Sequence, residues 1–225
     1  MKERQPFMSG DSLWKDVFKE LPYEIVLLNK GDIYYPDQYE SQIALLTHGL
    51  MKVFLSDAYG EERFMWIIEP FSLIQWNHYH NFSHSLIAIE GISLYLVDKT
   101  LFMDKVRLSS NLLDAYIYHI YQKYTYCVEK LIVTDTHNSQ FKVYSFLLHL
   151  AYRYGTEQQS GGIIIENIIT RQDISSITGV HRVNIIKYLR QLEDLNIIEK
   201  DRKRIYIKNI AALENLIKSL DIQED

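Results

Sequence analysis

Arg182, Val183, Asn184 and Lys187 make the first turns of a predicted helix, and their types suit contact with nucleic acid. Arginine and lysine reach guanine edges and phosphates, asparagine pairs with adenine, and valine offers only apolar contact, for instance to a thymine methyl. His181 precedes them at the start of the helix. Upstream, Thr170 is an N-cap candidate with Asp173 three residues on, where a carboxylate favours a helix N-terminus. Ile174 and Ile177 give that first helix an apolar face, and Gly179 is free to take the positive φ of a turn. The second helix carries Val183, Ile186, Leu189, Leu192 and Leu195 at three-residue steps, with Ile185 beside them. The basic run 200–204 (KDRKR) then leads into an alternating segment, 205–207, with the pattern of a wing. This spacing predicts a DNA-reading helix-turn-helix, in which Thr170, Arg171 and Gln172 lie near the backbone. The plain alternative is an ordinary helical hairpin.

Charge does not oppose that reading once its distribution is considered. The chain of 225 residues carries a net −5, yet residues 171–208 hold nine Lys and Arg against five Asp and Glu. A local +4 beside a −9 remainder suits phosphate contact, which is a local matter. Apolar content of 47% indicates globular domains with their own cores. The single cysteine, Cys127, excludes an intrachain disulfide and a Cys-ligated zinc or iron–sulfur site within one chain. With no signal-peptide pattern and no apolar run of the ~18 residues that span a bilayer, a cytoplasmic location without membrane attachment is expected.

The elements that must position these residues fall into three blocks. Residues 23–97 break into short apolar or alternating runs (43–46, 51–55, 64–68 and 92–97) separated by turn signals, the pattern of a β-barrel or roll. A short amphipathic helix is expected over 12–20. Residues 108–134 contain no Gly or Pro, and Leu113, Ile117, Ile120, Tyr124, Cys127 and Leu131 recur at alternating steps of four and three. That is a heptad seam. Because Tyr116, Tyr118, Tyr121 and Tyr126 load the neighbouring faces, the helix is expected to pack on its own domain and on a second copy; a single buried core helix is the alternative. A further helix is predicted over 138–155, a polar loop over 156–162, a short strand over 163–165 and a closing helix over 211–220.

The roll also holds a polar-aromatic stretch, 76–84. His78, His80 and His84 there invite a metal or haem site, since His-x-His in a strand places both imidazoles on one face. No carboxylate ligand accompanies them, so a loop over an effector pocket is the expectation. A metal-dependent, cupin-like roll with an appended DNA-binding module is the alternative. No Ser/His/Asp or Cys/His triad is evident, so an enzyme is not expected, nor is a cofactor.

In this order of blocks the chain resembles the CRP/FNR family of bacterial transcription regulators. Residues 30–34 (KGDIY), 49–53 (GLMKV), 60–68 and 138–155 are similar to successive family elements, and 169–174 (ITRQDI) with Gly179, Arg182, Leu189 and Leu192 follows its helix-turn-helix. The resemblance implies an α+β protein: a cyclic-nucleotide-binding-like, double-stranded β-roll (1–107), a long dimerisation helix with a hinge near 135–138 (108–137), and a winged helix-turn-helix (138–225). It implies a homodimer that reads an inverted repeat in double-stranded DNA under control of a small effector. The comparable family loop contacts RNA polymerase, so 156–162 inherits that expected partner.

Departures narrow the effector. Residues 70–75 (PFSLIQ) replace the Gly-Glu phosphate cassette, and no arginine lies between Arg63 and Arg107 to clamp a cyclic phosphate. Cyclic AMP and an iron–sulfur cluster are therefore not expected, while haem stays open through the histidines. Val183 stands where most members place glutamate, which implies an A·T-rich half-site. The run 177–183 (ITGVHRV) is most similar to the halorespiration regulators of the CprK type, which sense chlorinated phenolic acids. Aligned with these, Lys123 falls at their ligand-sensing lysine, with Ile74, Trp76, Leu86 and Tyr124 as candidate neighbours. An aromatic or acidic effector follows; a snorkelling surface lysine is the alternative.

Overall fold

The computed structural model describes residues 7–8, 10–75, 82–136, 138–159, 161–166, 170–201 and 204–221. These form two compact units, Met1–Cys127 and Val128–Asp225. The border falls inside the long helix.

The first unit is a two-sheet roll. Strands β1 (Phe7–Met8), β6 (Glu62–Ile68), β5 (Met51–Asp57), β8 (Phe82–Ala88) and β3 (Ile33–Tyr34) make one sheet in that order. Strands β2 (Tyr23–Leu28), β9 (Ile92–Asp98), β4 (Gln42–His48) and β7 (Leu73–Ile74) make the other. All pairings are antiparallel except β1 with β6. The period-two alternation of side chains along a strand explains the layering. On β4, Ala44 and Leu46 join Val53, Trp66, Leu86 and Leu94 in the core between the sheets. Ile43 and Leu45 turn the other way, against helices α1 (Leu13–Lys19) and α2 (Lys99–Arg107) through Trp14, Phe18, Phe102 and Val106. A strand covered on both faces reads as a continuous apolar run, and 43–46 is one. The β4–β5 hairpin turns on Gly49, whose φ of +82° and closeness to the Gly91 carbonyl (2.7 Å from a would-be Cβ) leave no room for a side chain.

Helix α2 was not anticipated as a separate element. Asp98 caps it, accepting hydrogen bonds from the backbone N–H groups of Thr100 and Leu101, and Phe102 and Val106 anchor it one turn apart. The long helix α3 accordingly begins at Ser110 and runs to Thr136, in place of a start at 108.

In the second unit, α4 (Ser139–Tyr154) packs with α5 (Arg171–Thr178), α6 (Arg182–Asp194) and α7 (Ile210–Asp221) beside a sheet in the order β10, β11, β13, β12. Strands β10 (Thr156–Glu157) and β11 (Ile163–Glu166) pair across the segment expected to be a plain loop. Its hairpin is closed by hydrogen bonds between Gln158 and Gly162 and between Gly161 and Gln158, with Gly161 at φ +88°. Strands β12 (Ile198–Lys200) and β13 (Arg204–Ile207) form the wing; Arg202 and Lys203, of the basic run, lie outside the described residues.

Candidate nucleic-acid interface and effector site

The helix-turn-helix is held by its own polar groups. The Thr170 hydroxyl accepts from the Asp173 N–H at 3.2 Å, and the Asp173 carboxylate accepts from both the Thr170 N–H and its hydroxyl at 2.7 Å. This reciprocal capping box fixes the start of α5, and it occupies Thr170 with structure. At the turn Gly179 takes φ +67°, while Ser175 donates to the Val180 carbonyl. Val180 is buried, and helix α6 follows from its N-cap residue His181.

Helix α6 divides more sharply than its sequence suggested. Ile185, Leu189 and Leu192 are buried, whereas Val183 is 67% exposed and leaves the apolar row to which its spacing assigned it. Leu195 is exposed as well, because the helix ends at Asp194 and Asn196 adopts a left-handed φ of +56°. His181, Arg182, Asn184 and Lys187 are exposed like Val183, and Arg171 and Gln172 are exposed at the start of α5. Arg190, three residues beyond Lys187, extends this face; the i, i+3 spacing was the signal that the sequence reading passed over.

In the roll unit, α3 presents two heptad rows one residue apart. Leu112, Tyr116, His119, Lys123 and Tyr126 face the roll. The Tyr116 hydroxyl meets Gln75 Oε1 at 2.6 Å, Lys123 Nζ donates to the Leu73 carbonyl at 3.2 Å, and the Tyr126 hydroxyl donates to the Met65 carbonyl at 2.9 Å. The other row is Leu113, Ile117, Ile120 and Tyr124, and it is exposed, Ile117 by 55% and Tyr124 by 66%. Tyr124 was named for both the seam and the effector site, and this exposure puts it with the seam. Cys127 is half-buried against the roll core, and the side chain of Leu131 lies outside the described residues.

Of the other effector candidates, Ile74 and Leu86 are buried in the roll core, and Trp76 lies outside the described residues. His78 and His80 also lie outside them, while His84 is buried on β8, on the strand face of Leu86 and Ala88. Among the described residues no group of three His, Cys, Asp or Glu is placed to hold a metal, and no helix is long and apolar enough to cross a membrane.

The residue that sequence reasoning missed is His119, 8% exposed and one turn from Lys123. Burial, and secondarily the Lys123 charge, lower its pKa to about 3, with the Leu73 backbone working against both. Burial lowers the Lys123 ammonium to about 8. At neutral pH the pair is therefore a neutral imidazole beside a desolvated ammonium.

Residues 142–216 match the Crp-like helix-turn-helix domain. The nitrogen fixation regulation protein FixK of Azorhizobium caulinodans is 21% identical over 192 residues, spanning 85% of this chain and 77% of that protein. The fold is similar to that of CprK in its OCPA complex (TM-score 0.72, 18% identity, 96% of this chain and 100% of that one). It is similar also to FixK2 of Bradyrhizobium japonicum (TM-score 0.70, 15% identity, 87% and 98%). Residues 142–216 thus carry a Crp-like helix-turn-helix domain. The exposed face of α6 is part of that domain.

The His119 environment makes stability depend on pH. Its folded pKa lies below the ordinary 6.5, so from about 6.5 downward the unfolded chain binds a proton that the folded chain refuses. The contribution is whole above that pH and is lost as pH falls, with a slope approaching one proton, ~1.4 kcal/mol per pH unit. Chemical denaturation at pH 7 and pH 5 should show a smaller loss for His119→Gln than for the parent chain. Equal losses would place His119 in solvent.

Proposed function

We propose that the protein is a homodimeric, effector-responsive regulator that reads an inverted repeat through α6. The carrying observation is the exposure of Val183 within the polar first turns of that helix, beside Arg182, Asn184 and Lys187. An aliphatic side chain held in water on an otherwise polar face has no packing role there, whereas a thymine methyl gives it one. Arg182 takes a guanine O6/N7 edge or a phosphate, Asn184 and Lys187 complete the base-facing turn with His181 at its N-cap, and Arg171 and Gln172 meet phosphates. Two copies place two such helices ~34 Å apart in successive major grooves. Support for the homodimer comes from the exposed row Leu113, Ile117, Ile120 and Tyr124, a contiguous apolar stripe of the kind that marks an interface. Selection from random DNA should return an A·T-rich inverted repeat; a G·C-rich one contradicts the role given to Val183. Arg182→Ala should cost about 1–3 kcal/mol on that site and relax preference at one position per half-site. Equal weakening on every sequence would make Arg182 a phosphate contact only.

The effector is an aromatic or otherwise apolar acid bound in the roll with its anionic group at Lys123. A desolvated ammonium beside neutral His119 favours an anion, and the adjoining core of Ile74 and Leu86 favours an apolar body. CprK, whose fold this chain shares, binds o-chlorophenolacetic acid. Aromatic acids, that compound first, should raise the melting temperature of the parent chain and change its DNA affinity. Lys123→Ala should lose both responses, and a variant that kept them would remove Lys123 from the site.

A further inference from the structure

Within the DNA-binding unit, α6 is held by more than apolar packing. Tyr144, at the middle of α4, is fully buried, and its hydroxyl accepts from Gln140 Nε2 at 2.9 Å. The same hydroxyl lies 3.4 Å from the Tyr188 carbonyl and 3.4 Å from Gln191 Oε1, either of which can take its proton. Gln140 Nε2 also reaches Gln191 Oε1 at 3.4 Å, and the Tyr144 and Tyr188 rings meet edge to face with centroids 6.3 Å apart. Burial foremost holds the Tyr144 pKa above its ordinary value, so the hydroxyl stays a neutral donor at physiological pH.

These contacts sit at a particular place on α6. Tyr188 and Gln191 each follow an exposed member of the reading face, Lys187 and Arg190, and both are half-buried at its border. Ile185, Leu189 and Leu192 bury one side of the helix, but apolar packing is non-directional and tolerates small rotations about the axis. Directional bonds to a main-chain carbonyl and a side-chain amide do not. Gln140 is itself in the first turn of α4, which Asn138 caps by accepting from the N–H groups of Gln140 and Phe141.

We propose that Gln140 and Tyr144 are positioning residues: a polar clamp from α4 that fixes the rotation of the recognition helix, so that sequence discrimination depends on two residues that face away from DNA. This rests on the assignment of α6 as the reading helix. The clamp adds no phosphate contact, so its loss should act on base discrimination and leave the salt dependence of binding in place.

The test uses the full chain, its selected operator and an unrelated duplex at two salt concentrations. Tyr144→Phe keeps the ring and removes the hydroxyl; Gln140→Leu removes the second donor at a half-buried position in the first turn of α4. Each should lower the ratio of operator to unrelated affinity by roughly three- to tenfold, the worth of one or two neutral hydrogen bonds, with an unchanged salt slope. Gln140→Glu, which has no donor and would draw the Tyr144 hydroxyl proton away from α6, should lower the ratio at least as far as Gln140→Leu. The proposal is overturned if both variants keep the parent ratio, or if operator and unrelated affinity fall together. Arg182→Ala and Asn184→Ala in the same assay separate the two claims: if neither changes the ratio, the assignment of α6 has failed and not the clamp.

Discussion

Two rows of side chains lie one residue apart along α3, and the roll covers only one of them. Leu112, Tyr116, His119, Lys123 and Tyr126 turn toward the sheets, where three of them spend polar atoms on β6, β7 and Gln75. Leu113, Ile117, Ile120 and Tyr124 follow each by one position and stay in water. A helix cannot hide both rows against one sheet, because successive residues differ by about 100° around its axis. The covered row makes α3 a wall of the roll, and the exposed row gives it a surface to share. A ligand against Lys123 and a partner against Ile117 would therefore act on the same rigid element, and that is the physical basis for coupling effector to symmetry.

The DNA-binding unit shows a similar division at smaller scale. Helix α6 buries Ile185, Leu189 and Leu192, exposes Arg182, Val183, Asn184, Lys187 and Arg190, and keeps Tyr188 and Gln191 at the border. Its start is set by the capping box of α5 and the left-handed Gly179, both local features. Its rotation depends on α4, more than forty positions away in the chain. Local chemistry sets where the reading helix begins, and tertiary contact sets which way it faces.

This separation explains what was legible before the fold was known. The capping box, Gly179 and the β4 run could be read directly, because caps, positive φ and doubly buried strands leave signatures within a few residues. Val183 fitted two patterns, an apolar row and a base-reading turn, and only the exposure of the folded helix separated them. His119 was invisible: a lone histidine between tyrosines carries no motif, and its role comes from lying one turn from Lys123 on the covered row. Helix α2 was absorbed into the roll, although Asp98 with Phe102 and Val106 carried a cap and an i, i+4 pair. The Tyr144 clamp needed two helices more than forty positions apart brought together, which no window of sequence contains.

The claim on which the rest turns is that the uncovered row of α3 meets its own copy. Sedimentation equilibrium of the full chain and of Ile117→Glu, alone and with a single operator duplex, measures it directly. The expected result is a dimer for the parent chain, a monomer for the variant, and two chains per operator with affinity lost on substitution. A parent chain that sediments as a monomer and binds its operator singly, or a variant that stays dimeric, would contradict the account.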